Sequence, residues 1–357
     1  MPQLFDPLTL RDVTFRNRIG VSPMCQYSSD DGAATDWHLV HLGARAVGGA
    51  GMVMAEATAV SPEGRISPTD AGIWADKHVE PLARITRFLR EHGAVPAIQL
   101  AHAGRKASTS APWLGDKQLD ESQGGWEPIG PSPVAFGGNL TRAPREMSLD
   151  DITRVQRAFR DAAARALTAG FDMIELHTAH GYLGHSFLSP ISNKRTDNYG
   201  GSFENRIRFV IETTRTLRAA WPDRLPLAVR ISATDWIDGG WTLEDSVDLA
   251  KRLKAEGVDL VDCSSGAIAP GVKYPAGASW QVPLAEAVKR GADIPTAAVG
   301  MILEASQADE IIRNGRADMV LLAREMLRTP YWAYEAAKTL RKVDKLSLPK
   351  QYSTFLT

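Results

Sequence analysis

The chain has 357 residues, 44% of them hydrophobic and 23% charged, with a formal net charge of −1 and a pI near 6.7. That balance suits a globular fold, and it offers neither a basic patch interleaved with aromatics for nucleic acid nor a surface drawn to anionic membranes. Two cysteines, Cys25 and Cys263, are too few for a disulfide framework and fit a reducing compartment, so a cytoplasmic protein is expected.

The opening, MPQLFDPLTLRD, has neither the basic start nor the unbroken apolar core of a signal peptide. Short apolar runs then alternate with longer amphipathic segments, the pattern of repeated βα units around a parallel sheet. Eight strands are expected, at 19–23, 51–57, 95–100, 172–177, 225–231, 260–264, 294–299 and 319–323. Helical patterns begin near Trp37, His78, Leu149, Phe203, Thr242, Ser279, Glu304 and Pro330. Eight such units favour a closed (β/α)8 TIM barrel over a doubly wound open sheet, and no Gly-x-Gly-x-x-Gly follows the first strand. Gly48, Gly49 and Gly51 precede a strand and read as a helix stop, Ser202 reads as an N-cap, and Gly315 closes the helix before the last strand.

Between the third strand and the helix at Leu149 lies a long excursion, 103–147, rich in glycine, proline and tryptophan. Insertions of this length are usually functional, and Trp113 and Trp126 argue for an ordered one that buries aromatics. No linker or low-complexity stretch divides the chain, so residues 1–357 are expected to form one domain.

Alternation along the fifth strand puts Leu227, Val229 and Ile231 on one face and Ala228 and Arg230 on the other. Helices cover the apolar face, which sends Arg230 inward, where it needs a counter-charge or a ligand. Glu175 on the neighbouring strand is the expected partner. The strand ends gather Pro23, Met24, Cys25, Ala57, Gln99, His177 with His180, Arg230, Ser264, Gly300 and Arg324 on one rim. Barrels often hold a phosphate with the loops after the seventh and eighth strands. Gly300 permits close backbone approach to an anion, and Arg324 can grip phosphate oxygens bidentately.

The stretch ELHTAHGYLGHSFLSP, 175–190, carries the chemistry. Two imidazoles, His177 and His180, make good donors to one oxygen whose charge grows in a transition state. Tyr182, with an ordinary pKa of about 10, holds its proton at neutral pH and can deliver it. An alternative reading makes His177, His180 and His185 the ligands of a metal-dependent hydrolase. His38 and His41 sit at the start of a helical pattern and read as structural.

Five motifs spread along the chain then carry a resemblance: SPMCQY at 22–27, EATAV at 56–60, QLAHAGRK at 99–106, LHTAHGYL at 176–183 and SNKRTDNYGGSFENR at 192–206. Together they resemble the Old Yellow Enzyme family of FMN-dependent ene-reductases. The first motif, with its cysteine, is similar to the bacterial subclass of xenobiotic reductases and thermophilic-like members.

That resemblance implies FMN over the barrel mouth, with its phosphate near Gly300, Ala323 and Arg324. Gln99 would bond the pyrimidine edge, Arg230 would stabilise the anion formed on reduction, and Ser22, Pro23, Met24, Cys25 and Ala57 would line the ring system. NADPH or NADH would reduce the flavin, and a small activated alkene would then take hydride at its β-carbon and a proton from Tyr182 at its α-carbon. His177 and His180 would hold the carbonyl or nitro oxygen, and Tyr27, the excursion and Lys106 would border the substrate. A homodimer or homotetramer is expected. Related chains place an arginine or tryptophan near the C-terminus to complete a neighbour's site, whereas here the tail runs Gln351, Tyr352, Ser353, Thr354, Phe355. Dienoyl-CoA and amine-oxidising relatives need iron–sulfur cysteines, which two cysteines cannot supply. A non-catalytic flavin-binding protein is a third reading.

Overall fold

A computed structural model describes residues 1–356, and eight parallel strands close into a barrel. In chain order the strands are Ile19–Val21, Met52–Ala59, Val95–Ala101, Met173–Thr178, Leu227–Ser232, Leu260–Ser264, Thr296–Ala298 and Met319–Leu322. Each pairs with the next, and the last returns to the first through Val320 opposite Ile19 and Leu322 opposite Val21. Helices Asp36–Val47, Val79–Glu91, Leu149–Thr168, Phe203–Ala220, Leu243–Ala255, Val282–Ala292 and Ala305–Arg313 fill the seven crossovers. After the last strand come Arg324–Arg328 and Trp332–Thr339. All eight expected strands are present, with no end displaced by more than two residues, the scatter usual where a helix or strand frays.

Two apolar layers divide the strand residues by alternation. Leu227, Val229 and Ile231 join the large core between barrel and helices, whereas Ala228 packs inside with Met52, Met54, Ala97, Met173, Leu260, Ala297, Met319 and Leu321. Methionines suit this interior because an unbranched thioether fills irregular space. An N-terminal hairpin, Leu8–Leu10 paired with Val13–Phe15, adds Leu10 and Phe15 to that inner cluster and closes the floor. The floor hairpin was not legible beforehand, since strands of three residues carry too little alternation to stand out.

Local signals behave as their chemistry requires. Ser202 Oγ accepts the Asn205 N–H as the N-cap, and Gly48 ends the first helix. The excursion after the third strand consists of single turns and a two-residue pairing, Ile129–Gly130 with Arg145–Glu146. Its ordering comes from the motif at 192–206: Arg195 donates to the carbonyls of Pro131 and Met147, and the Lys194 N–H donates to Ser132 Oγ. The expected burial of both tryptophans holds for only one. Trp126 is half-buried and donates to the Glu63 carbonyl at 2.8 Å, but Trp113 is 68% exposed, touching Tyr27 edge-on. Trp113 sits at a tip beyond the reach of the core, where Pro112 and Gly115 turn the chain back.

Candidate active site

Beyond Thr178 the chain turns through His180 and Gly181, both left-handed at φ 59° and 76°. A Cβ on Gly181 would stand 2.3 Å from the Ala267 carbonyl oxygen, so only glycine fits. For His180 that backbone costs roughly 1–3 kcal/mol and must be imposed by its surroundings. Its N–H donates to Ser232 Oγ at 2.9 Å, and Ser232 donates on to the Gly266 carbonyl. His185 braces the turn from behind: Nδ1 accepts the Gly181 N–H at 2.9 Å, and Nε2 donates to Asp235 Oδ1 at 2.8 Å with both side chains fully buried. Asp235 is itself fixed by Ser189 Oγ and the Trp241 N–H. Both ring nitrogens of His185 are thus engaged, and it does not converge with His177 and His180. The three-histidine metal set gives way to a bracing pair, and among the described residues no three metal-ligating side chains converge elsewhere.

At the mouth, the His177 ring stands perpendicular to both neighbours, 5.2 Å from His180 and 5.0 Å from Tyr182 between centroids. His177 Nδ1 accepts the Ala179 N–H at 3.2 Å, which leaves Nε2 as its donor. His180 Nε2 lies 2.7 Å from Ser264 Oγ; with Ser264 donating, Nδ1 carries the ring proton. Burial first, and the Arg230 charge second, hold both imidazoles far below the ordinary histidine range, so both are neutral at pH 7. Burial pushes the Tyr182 phenol well above its ordinary value, which keeps its proton in place. Two neutral N–H donors beside a protonated phenol can polarise an oxygen and protonate a nearby carbon.

Lys106 supports this cluster. Its ammonium donates to the His180 carbonyl at 2.9 Å and lies over the rings of Tyr182 and Phe136, and burial lowers its pKa to about 8. The adjoining Arg105 is buried and ties the excursion to the loop after the sixth strand, donating to the carbonyls of Val134, Ala135 and Ile268. On the opposite side, the Cys25 thiol is pushed far up, by burial and then by the charges of Asp70 and Glu56, and stays protonated. Tyr27, at φ 50°, borders the same wall. His38, read as structural, bonds Glu56 Oε1 at 3.2 Å and caps its own helix through the Thr35 N–H, while Glu56 Oε2 accepts the Gln26 N–H.

Below these rings, Arg230 points inward as alternation required, but its counter-charge is not Glu175. Arg230 Nε lies 3.0 Å from Asp262 Oδ2 on the sixth strand, and Nη1 donates to Ser22 Oγ. Register explains the correction: Asp262 stands directly opposite Arg230, as does His177 on the other side, whereas Glu175 is paired with Ala228 deeper in the barrel. Glu175 Oε1 instead accepts from Gln99 Nε2 at 2.7 Å. Burial, reinforced by the Asp262 charge, raises the Glu175 pKa and holds it protonated.

Across the rim, a cleft of about 250 Å3 runs between the loops after the seventh and eighth strands, lined by residues that include Gln281, Gly300, Met301, Ala323 and Arg324. Gly300 adopts φ 112°, and a Cβ there would meet Gln281 Nε2 at 2.5 Å. Among the described residues, no backbone carbonyl accepts the N–H groups of Gly300, Met301 or Arg324, and no carboxylate pairs with the exposed Arg324 side chain.

The NADH:flavin oxidoreductase / NADH oxidase family model matches residues 3–342. An NADPH dehydrogenase of Geobacillus sp. (strain WCH70) is 50% identical over 339 residues, covering 94% of each chain. The chain belongs to this family. Among solved structures, the old yellow enzyme homologue from Zymomonas mobilis is 25% identical with a TM-score of 0.79, covering 100% of this chain and 99% of that one. Morphinone reductase in complex with tetrahydroNAD is 26% identical with a TM-score of 0.79, over 98% and 93%.

As a member of the NADH:flavin oxidoreductase family, the protein is an FMN-dependent oxidoreductase that acts on small molecules with a nicotinamide hydride donor. Its residues fit that cofactor. The cleft at Gly300 offers N–H donors and a cation to a phosphate, and a side chain on Gly300 would fill the cradle. Ser22, Pro23, Met24 and Cys25 follow the first strand at the same end of the barrel as that cleft, and Ala57, Gln99 and Arg230 lie two residues inside the ends of their strands at that end. Sequence reasoning missed Asp262, though Leu260, Asp262 and Ser264 alternate onto the inner face and that period was readable. It also missed Ser232, Asp235 and Gln281, whose roles depend on loop paths that leave no periodic mark.

Proposed function

We propose that the protein is an ene-reductase, reducing the C=C bond of α,β-unsaturated carbonyl or nitro compounds with NADPH or NADH as donor. One observation carries this reading: His177, His180 and Tyr182 form a single cluster at the barrel mouth with both imidazoles neutral and the phenol protonated. FMN, when bound, supplies the hydride that NADPH delivers to the site. His177 and His180 hold the substrate oxygen and stabilise the negative charge that grows on it, an effect worth about 3 kcal/mol for one such donor. Tyr182 gives its proton to the α-carbon. Ser22, Pro23, Met24, Cys25, Ala57, Gln99 and Arg230 hold the ring system of the cofactor, with Arg230 offsetting its negative charge on reduction. Gly300, Ala323 and Arg324 hold the phosphate, and Tyr27 borders the substrate.

Residues 1–357 act in this reading as one domain, with the 103–147 excursion shaping the pocket. We also propose a cytoplasmic location, in keeping with two unpaired cysteines and no described helix long and apolar enough to cross a membrane. A homodimer or homotetramer is proposed too, with Phe355, 83% exposed, offering an aromatic wall to a neighbouring site.

The test is anaerobic. Purified protein is expected to be yellow, to bleach with NADPH and to regain colour with cyclohexenone. Colourless protein, or colour that no activated alkene restores, sinks the reading.

A further inference from the structure

Asp70 lies beside the active site on the loop after the second barrel strand, buried at 1% exposure. Its Oδ2 accepts the Ile66 N–H at 2.6 Å, while Oδ1 finds no protein partner. A void of about 10 Å3 opens next to it, walled by alanines, Gly64 and Ile66, and its remaining two lining residues are Asp70 and Tyr182. That space is about one water molecule, and a buried water needs at least two polar partners, here an acid and a phenol. On the outer side, the Ser67 hydroxyl lies against Asp70 and is fully buried. Ser67 Oγ is 3.1 Å from Thr69 Oγ1, and Thr69 is exposed. With one water in that space, exchangeable protons would line up from Thr69 through Ser67 and Asp70 to Tyr182.

We propose that Asp70 is the proton relay that recharges Tyr182 after each turnover, fed from solvent through Thr69 and Ser67. The idea rests on the donor role proposed above for Tyr182. Once Tyr182 has given its proton to carbon, its phenolate takes a proton from the water in the void. That water takes the acid proton of Asp70, and the Asp70 carboxylate takes one from the hydroxyl chain, which draws it from solvent. No electrons move, and one proton enters per alkene reduced.

Other acids nearby are poorer sources. The groups facing Asp70 are Glu56, Cys25, Tyr27 and Arg65. Burial holds the proton tightly on Cys25 and Tyr27. Burial and the Glu56 charge place Asp70 at about 7, where it can both hold and release a proton at working pH. Lys106 is the competitor, since its ammonium lies over the Tyr182 ring, but it is turned to the His180 carbonyl.

The experiment uses FMN-loaded protein and compares the first turnover of pre-reduced enzyme with steady-state turnover. Asp70→Asn is expected to leave the first turnover near the wild-type rate and to slow steady turnover about a hundredfold, the lower end for one positioned acid. The wild-type decline of turnover as pH rises through about 7 disappears in this variant. Ser67→Ala shows the same pattern more weakly and serves should Asp70→Asn not fold. Independently of activity, the infrared stretch of a protonated carboxyl, missing in Asp70→Asn, titrates near pH 7. Equal slowing of the first and later turnovers, an unchanged pH profile, or loss of recharging only in Lys106→Met overturns the relay. If Tyr182→Phe leaves the first turnover unchanged, the donor reading itself falls, which is a distinct result.

Discussion

Arg230 and Asp262 form an ion pair at 3.0 Å with side chains 7% and 0% exposed, and the protonated Glu175 waits beneath them. Removing one partner of a buried pair costs about 3–5 kcal/mol because the other charge is stranded. Asp262→Asn should cost less. Burial and the Asp262 charge together keep Glu175 protonated, so losing that charge lets Glu175 ionise and serve Arg230. Denaturant unfolding is expected to show a loss of about 1–2 kcal/mol for Asp262→Asn, and the full penalty only with Glu175→Gln added. Additive losses would show that Glu175 is no reserve. Only in the double variant, where neither carboxyl is charged, does the field at the mouth become more positive, and there the reduction potential of bound FMN, read by dye equilibration, should rise.

The barrel was legible because strand alternation and helix periodicity repeat eight times, each repeat reinforcing the others. The inward turn of Arg230 followed from the same alternation. Its partner did not, because choosing between Glu175 and Asp262 requires the register of three strands, and register is set by packing around the whole barrel. The rings of His177, His180 and Tyr182 were visible as chemistry. What holds them, Ser232, Ser264 and the His185–Asp235 pair, lies 50 or more residues away along the chain, at least for the partners of His180 and His185. Trp113 misled for a related reason: apolar character alone does not say whether a loop tip reaches the core.

Ser264 decides which nitrogen of His180 carries the proton. With Ser264 donating to Nε2, the ring proton sits on Nδ1, the nitrogen left for a substrate oxygen in the proposed reaction. Ser264→Ala frees the ring to take the other tautomer, and one hydrogen bond is worth about 1 kcal/mol. Binding of a phenol that mimics the enolate, followed by its charge-transfer band, should weaken by about fivefold. The same variant should leave reduction by NADPH unchanged, since that step needs no oxygen clamp. Unaltered phenol affinity would remove Ser264 from this role.

Gly300 should be needed for FMN retention, over and above the backbone cost that substituting any left-handed glycine carries. Its φ of 112° disfavours any L side chain, and a Cβ would displace Gln281, whose Oε1 accepts the Ser265 hydroxyl at 2.7 Å. Gly315 is the control, with φ 67° and nothing within 4 Å of an added Cβ. Gly300→Ala is expected to weaken FMN binding about tenfold, a cost near 1.4 kcal/mol, measured by fluorescence titration of stripped protein. Gly315→Ala should cost stability through its backbone and leave FMN affinity alone.

His41 makes the fold sensitive to acid. It is buried in the first helix, and burial, then the charges of Arg45 and His38, lower its pKa from 6.5 to about 3. A group with a depressed folded pKa is neutral in the folded protein while the unfolded chain takes up its proton below about 6.5. Its contribution to stability is therefore complete above that pH and is lost as pH falls toward about 3. His41→Leu keeps an apolar volume at the site without a proton to take up. Plotted from pH 7 down to pH 4, the unfolding free energy of this variant should fall less steeply than that of the parent, by up to about one proton in slope. Parallel curves would mean that His41 is protonated in the folded protein, and that its neighbours on the helix tolerate the charge.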